Sequence, residues 1–183
     1  MPDIGHLNKE NEMSEEANPV VALETSMGTI TITLNKEKAP ISVRNFLNYV
    51  KENYYDGLIF HRVIKDFMVQ GGGMDATLTQ KKTKFAIKNE ATNGLLNKRG
   101  TVAMARTSMV DSATSQFFIN TVDNAFLDNR GKTPELFGYA VFGEVTGGME
   151  VVDAIRLVKT GNKAGQSDVP VEPVTIISAK LVE

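Results

Sequence analysis

The sequence has 183 residues, of which 42% are hydrophobic and 23% are charged, which fits one globular domain with a sizeable core. Its 20 basic and 22 acidic residues give a formal net charge of −2, so the chain has no overall basic field, and we expect no nucleic-acid partner. The lack of cysteine excludes disulfides, thiol catalysis and thiolate metal sites, and the two histidines, His6 and His61, are too few for a histidine-rich zinc centre.

The first 18 residues differ in character from the rest of the chain. They are polar and acidic and show no hydrophobic periodicity, which predicts a disordered tail (1–18) followed by one folded domain (19–183). The tail lacks the basic start and apolar stretch of a secretory signal, and no apolar run reaches membrane-spanning length. We therefore expect a cytoplasmic protein that does not bind membranes; a periplasmic location stays open if a signal peptide has been removed.

The folded domain begins with a hairpin and a helix. Segments 20–25 and 29–36 alternate apolar and polar residues around Ser26-Met27-Gly28, as in two strands with one buried face. A helix is predicted in segment 39–55, with Pro40 near its start. Its apolar residues fall on one stripe, namely Val43, Phe46, Leu47, Val50 and Tyr54.

Short strands dominate the remaining chain. Strand-like runs occupy 58–64, 67–71, 100–106, 115–121, 139–145 and 173–183. A second helix is predicted from the spacing of Val151, Val152, Ile155 and Val158, with Gly161 closing it. Two widely separated helices are too few to cross over between parallel strands. The pattern therefore predicts a mainly β fold, a closed eight-stranded antiparallel barrel capped by two α-helices.

Segment 60–73, FHRVIKDFMVQGGG, carries Arg62 and Gln70 within a strongly apolar run. We expect Arg62 to be buried in its strand, where it must be paired or must serve a ligand, because an unpaired buried cation costs several kcal/mol. Ser115 lacks the glycines and the base of a nucleophile elbow. We expect His61 to be packed and hydrogen-bonded in its strand. The triple glycine 71–73 indicates a bend or a close backbone approach.

Five ordered motifs resemble those of the cyclophilin family of peptidyl-prolyl isomerases. They are FHRVIKDFMVQGGG (60–73), GTVAMAR (100–106), SQFFINT (115–121), FLD (126–128) and YAVFGEV (139–145). With the opening strands and the first helix, the resemblance covers residues 20 to 183. KNEATNGL (88–95) and FGYAVFG (137–143) are most similar to the bacterial branch. The family's fold is an eight-stranded barrel with two capping helices, in agreement with the fold predicted above.

The resemblance implies an isomerase that rotates X-Pro bonds without making or cutting any bond. Amide resonance opposes this rotation by ~18–20 kcal/mol, and in the twisted transition state the proline nitrogen regains a lone pair. A donor aimed at that nitrogen binds the twisted state better than either planar state. The family assigns this role to an arginine, and Arg62 matches it.

The resemblance also implies roles for the residues at the other positions that match the family's motifs. Gln70 would orient Arg62 and contact the substrate backbone. The proline ring would be held by Phe67, Met68, Phe118 and Leu127. Main-chain groups of Arg106, where the family usually has asparagine, would face the swinging carbonyl. The groove for residues before proline would be lined by Ala105, Thr107 and Gln116, which form no charged pocket and should accept varied residues before proline. His61, Phe126 and Tyr139 complete the expected substrate-binding set.

Two departures from the family pattern concern the inhibitor cyclosporin. Phe126 stands where many members have tryptophan, and Tyr139 replaces a histidine common at the pocket rim. Phenylalanine has no N–H to donate, so cyclosporin should bind only weakly. Neither residue occupies the position of the arginine donor, so catalysis should survive both changes.

Two other functions remain open from the residues alone. A non-catalytic module that binds proline-containing peptides would need the same groove, although Arg62 argues against it. A barrel holding a small apolar ligand is a further alternative, although large side chains should fill its interior. We expect proline-containing peptides and unfolded or folding proteins as substrates, no cofactor, no bound metal and a monomer.

Overall fold

The computed structural model describes residues 17–183, and the predicted tail lies almost entirely outside them. Ten strands are present among the described residues: β1 (Val20–Thr25), β2 (Gly28–Leu34), β3 (Arg62–Ile64), β4 (Met68–Gly71), β5 (Thr101–Met104), β6 (Phe117–Asn120), β7 (Val141–Gly147), β8 (Thr160–Lys163), β9 (Gln166–Pro170) and β10 (Ile176–Val182). The helices are α1 (Pro40–Lys51), α2 (Pro134–Phe137) and α3 (Met149–Arg156), with short 3₁₀ turns at Ala91–Asn93 and Ala125–Leu127.

Eight strands form one antiparallel sheet in the order β10-β1-β2-β7-β5-β6-β4-β3. The edge strands β3 and β10 do not pair with each other. Instead, the segments just before them are joined by an isolated bridge between Ile59 and Thr175 and by backbone bonds such as Phe60 N–H to Val174 O, 2.9 Å. The predicted eight-stranded antiparallel fold is confirmed, but its closure is limited to this short join.

Helix α1 begins with Pro40 in its first turn, as predicted. Its buried face includes Val43, Phe46 and Val50, and Tyr54 is buried just beyond the helix. Glu90, about fifty residues away, caps α1: its carboxylate accepts bonds from the backbone N–H of Ser42, 2.6 Å, and of Ile41, 3.3 Å. A negative group at a helix N-terminus satisfies free N–H groups and the helix dipole together.

The second predicted helix is shorter than expected. Helix α3 ends at Arg156, and Gly161 lies in strand β8 rather than closing the helix. Strands β8 and β9 form a separate two-stranded hairpin that the sequence analysis missed. Only Val169 and Pro170 of these strands are buried, so the hydrophobic alternation that would identify them is weak.

Strand β6 separates two hydrophobic clusters. Phe117 and Ile119 contribute to the main core, which packs against α1 and α3, whereas Phe118 belongs to a second cluster. Successive strand residues point to opposite faces, so the second cluster lies on the face of the sheet away from the main core. No helix among residues 17–183 is long and apolar enough to cross a membrane.

Candidate active site

The second cluster forms the floor of a pocket of about 120 Å³. Met68 on β4, Phe118 on β6 and Leu127 at the end of the second 3₁₀ turn are all buried there. Tyr139 packs its ring edge against Phe118, with ring centroids 5.7 Å apart. The complete lining consists of Arg62, Phe67, Met68, Gln70, Ala105, Arg106, Phe118, Leu127 and Tyr139.

Arg62 lies at the edge of this pocket, opposite Gln70 in the β3–β4 register. Its guanidinium carbon is 5.9 Å from the centre of the Phe67 ring, and within residues 17–183 the guanidinium makes no hydrogen bond or ion pair. The side chain is exposed, so the expectation that it is buried is wrong. The reason is that β3 is an edge strand and Arg62 points from it towards the open side of the pocket.

Gln70 connects the pocket to a second one of about 140 Å³. Its Nε2 donates to Oε1 of Gln116, 2.9 Å, and within residues 17–183 the amide makes no hydrogen bond to Arg62, which it was expected to orient. The second pocket shares Gln70, Ala105 and Arg106 with the first and adds Thr107, Ser112, Thr114 and Gln116. The two pockets therefore form one groove along β4, β5 and β6.

The triple glycine gives the groove its shape. A Cβ on Gly73 would lie 2.5 Å from the Gln116 side chain, and one on Gly72, where φ is +89°, would lie 2.8 Å from the Phe117 ring. Only glycine allows these close approaches without moving the groove wall or the core. The interpretation of 71–73 as a close backbone approach is confirmed.

Arg106 holds together the loops around the groove. Its Nε donates to the carbonyl of Gly138, 3.0 Å, its Nη1 to that of Thr107, 3.0 Å, and its Nη2 to that of Pro134, 2.8 Å. The guanidinium carbon also lies 4.8 Å from the centre of the Tyr139 ring. Two of the three departures from the family pattern, at 106 and 139, are therefore in direct contact and form one cation–π pair.

His61 is buried behind the groove and lines neither pocket. Its Nδ1 has no hydrogen-bond partner among the described residues, so the expected hydrogen bonding is absent at that atom. Burial, with a smaller contribution from the charge of Arg62, lowers the pKa of His61 to about 4. The imidazole is thus neutral at pH 7 and is not positioned to exchange protons with a ligand in the groove.

Phe126 lies on the rim rather than in the pocket. It is 56% exposed and stacks on Phe67, with ring centroids 5.6 Å apart. Of the predicted site residues, His61 and Phe126 are the two that line neither pocket; the other eleven all line the groove. Ser112 and Thr114 also line the groove but were not predicted from the sequence. Thr114 is two residues from Gln116, and an extended chain would place Thr114 and Gln116 on one face.

Comparison with known proteins shows the family of the chain. A family profile described as "Cyclophilin type peptidyl-prolyl cis-trans isomerase/CLD" matches residues 20–181. The chain belongs to the cyclophilin family. It is therefore a peptidyl-prolyl cis-trans isomerase, and both the family and the enzyme class predicted from the sequence are confirmed.

Similar proteins include two bacterial isomerases and a solved parasite structure. A peptidyl-prolyl cis-trans isomerase of Streptomyces antibioticus is 59% identical over 162 residues, which cover 88% of this cyclophilin and 98% of that protein. Isomerase B of Escherichia coli is 52% identical over 164 residues, which cover 90% and 100% of the two chains. A cyclophilin type isomerase of Cryptosporidium parvum, solved in the presence of the dipeptide Ala-Pro, has 26% identity and a TM-score of 0.74, covering 90% of this chain and 99% of that one.

Proposed function

We propose that this cyclophilin accelerates X-Pro rotation by donating a hydrogen bond from Arg62 to the pyramidal proline nitrogen of the twisted amide. The observation that carries the proposal is the guanidinium at the mouth of an apolar pocket, with no hydrogen bond or ion pair inside residues 17–183. A donor that no internal acceptor holds can turn towards a substrate without first breaking a bond. The guanidinium also carries its N–H donors in a fixed planar fork.

The pocket would hold the proline ring fixed while the other side of the X-Pro bond rotates. A proline ring seated on Met68, Phe118 and Leu127 contacts side chains that are already buried and ordered by the second cluster. Phe67 closes the pocket beside Arg62. With the ring held, the preceding carbonyl swings on the side of Ala105 and Arg106, where the groove continues into the second pocket.

Gln70 would contact the substrate backbone and orient Arg62, as expected from the sequence, through its Oε1. Because its Nε2 is engaged by Gln116, its Oε1 remains available to accept a bond from the substrate backbone or from Arg62 once a peptide is present. Its position opposite Arg62 in the strand register keeps these groups adjacent.

The transition-state stabilisation required of the site is modest. A rate gain of roughly 10⁵ corresponds to about 7 kcal/mol. A hydrogen bond from a charged donor contributes ~1.5–3 kcal/mol in an exposed site, and more once a bound peptide excludes water. Removal of the planar amide from water adds to this, since the dipolar resonance form that opposes rotation is best stabilised by hydration.

The test compares the wild type with Arg62→Ala and Arg62→Lys in a prolyl isomerisation assay on a short X-Pro peptide. We expect Arg62→Ala to lower kcat/KM at least ~100-fold, on the order of 3 kcal/mol, while the fold persists. Arg62→Lys should also lose most activity, because an ammonium does not reproduce the planar guanidinium. Circular dichroism and thermal melts provide the control for folding. Near-wild-type turnover by folded Arg62→Ala would refute the mechanism.

The natural substrates proposed are proline-containing segments of unfolded or folding proteins, with varied residues accepted immediately before proline. The support is a groove that is open to solvent and lined by small and uncharged side chains at Ala105, Thr107 and Gln116. Weak cyclosporin binding, a monomeric state and a cytoplasmic location stay predictions from the sequence.

A further inference from the structure

Segment 81–88, with the sequence KKTKFAIK, forms an exposed basic surface that the site described above does not use. We name it the lysine strip. Its four lysines, Lys81, Lys82, Lys84 and Lys88, are all exposed, and the segment contains no acidic residue. Phe85 in its middle is 95% exposed, the highest value for a large hydrophobic side chain among residues 17–183. The ring lies between Lys84 and Lys88 in sequence, so a partner that meets the cations also meets an apolar contact.

The strip runs directly behind the wall of the second pocket. Just before it, Gln80 accepts a bond from Nε2 of Gln116, 2.8 Å, and near its end the N–H of Ile87 bonds to the carbonyl of Ala113, 3.0 Å. Segment 113–116 thus separates the strip from the groove by the width of one extended chain. A peptide that leaves the groove over Thr114 and Gln116 meets the strip next.

The positive charge of the strip is only partly neutralised. Lys84 pairs with Glu52, 2.8 Å, and Nζ of Lys81 donates to the Tyr54 carbonyl and lies over the Tyr54 ring. Lys82 and Lys88 make no side-chain hydrogen bond or ion pair inside residues 17–183. They are the cations available to a partner.

Two carboxylates just beyond the end of the strip, one adjacent in sequence and one brought there by the fold, are already engaged. Glu90 caps helix α1 through Ser42, and Asp111 accepts a bond from the N–H of Asn89, 2.8 Å. The formal charge of the whole chain is −2, so the strip is a local feature on an acidic protein. Local charge of this kind selects partners and speeds encounter more than it adds affinity.

We propose that the lysine strip binds acidic residues that lie several positions before the proline in a substrate protein. The proposal rests on the proposed function, because it requires the residues before proline to cross the second pocket. Lys82 and Lys88 would pair with carboxylates, and Phe85 would cover an apolar side chain between them. The continuity with the peptide groove, and the presence of a single aromatic residue rather than several stacking platforms, favour an acidic polypeptide over a nucleic acid.

The experiment measures kcat/KM on peptides that share one X-Pro core and differ upstream. One peptide carries three glutamates several residues before the core, a second carries three lysines and a third carries three serines. A tetrapeptide with no upstream extension is the reference. We expect the glutamate peptide to exceed the lysine peptide about fivefold at low salt, as two or three exposed ion pairs would give. The difference should shrink in 0.5 M NaCl, where the screening length is only a few Å.

Matched variants locate the effect. The double variant Lys82→Gln/Lys88→Gln should abolish the preference for the glutamate peptide and leave the tetrapeptide rate unchanged. Lys159→Gln/Lys180→Gln, which makes the same change of charge at exposed lysines beside β8 and on β10, should keep the preference. Phe85→Ser should lower kcat/KM about threefold on extended peptides that carry an apolar residue upstream.

The results distinguish failure of the lysine-strip proposal from failure of the Arg62 mechanism. Normal tetrapeptide turnover with equal rates on glutamate and lysine peptides overturns the proposal and leaves the role of Arg62 intact. An Arg62→Ala variant that keeps full tetrapeptide turnover overturns the mechanism alone. A preference retained in Lys82→Gln/Lys88→Gln also overturns the proposal, as does strip-dependent binding of a single-stranded oligonucleotide without any peptide preference.

Discussion

Replacement of Arg106 tests whether the loops around the groove are held by one side chain. In Arg106→Ala, the carbonyls of Gly138, Thr107 and Pro134 lose a charged donor, and the Tyr139 ring loses its cation. The bond to Gly138 is partly buried, whereas the other two are exposed. Water can replace the exposed bonds, so their net contribution is small.

The loss of stability follows from these contacts. We assign about 1 kcal/mol to the partly buried bond and roughly 0.5 kcal/mol to the cation–π contact, with the exposed bonds adding a few tenths each. The total is about 2 kcal/mol, which for a domain of this size lowers Tm by roughly 4–8 °C. Arg106→Lys keeps the cation over Tyr139 but loses the fork, so its effect should be about half as large.

The effect on catalysis should fall mainly on KM. The guanidinium holds the loops of the groove through three backbone carbonyls, whereas Arg62 is the proposed donor to the twisted amide. A peptide should therefore bind more weakly while the bound peptide turns over nearly as fast. We expect kcat/KM to fall about fivefold, an effect of roughly 1 kcal/mol. Arg44→Ala is the matched control, because Arg44 is exposed on α1 and lines neither pocket.

Thermal melts and progress curves over a range of peptide concentrations measure both quantities. A double-mutant cycle with Tyr139→Leu isolates the cation–π pair and should give a coupling of about 0.5–1 kcal/mol. An Arg106→Ala variant with wild-type Tm and wild-type KM would show that the contacts of Arg106 do not organise the groove. A large fall in kcat with unchanged KM would instead place the guanidinium in the chemical step.

Two further predictions concern the rim and the buried histidine. Phe126→Trp should bind cyclosporin at least about tenfold more tightly than the wild type by calorimetric titration, since a recovered indole donor is worth ~0.5–1.5 kcal/mol or more. Isomerase turnover should stay within a few-fold of the wild type, because Phe126 lies outside the pocket. An unchanged cyclosporin affinity would exclude position 126 as the determinant. The pKa of His61 is lowered to about 4 in the folded chain from the usual 6.5, so its stabilising contribution is fully present above pH 6.5 and is lost as the pH falls through 4. Denaturant titrations should show up to about 3 kcal/mol of acid destabilisation in the wild type that His61→Gln lacks, and identical pH profiles for the two proteins would contradict the low pKa.

The local patterns were sufficient for the main elements. The alternation in 20–25 and 29–34 set the first hairpin, and the 3.6-residue stripe through Val43, Phe46 and Val50 set the buried face of α1. Such periodicities are properties of neighbouring residues, so they can be read without knowing the fold. Two elements were not predicted from periodicity, namely α2, which has four residues, and the mostly exposed β8–β9 hairpin.

The site residues were found by another route. Eleven of the thirteen line the groove because the family motifs fix which strand positions face it. The same information could not tell that His61 points behind the groove or that Phe126 remains on the rim. A side chain next to a site in sequence alternates to the opposite face in a strand, and its exposure depends on what packs there.

The sequence by itself thus determined the residue types of the site, the antiparallel strands and the two main helices. Only the tertiary structure decided that Arg62 is exposed on an edge strand, that Arg106 joins Thr107, Pro134 and Gly138, and that Glu90 caps α1. These contacts join groups as far apart as 49 residues in the chain. A hydrogen bond or a cation–π contact between distant residues leaves no periodic trace in either segment, because its geometry arises only when the sheet brings the two segments together.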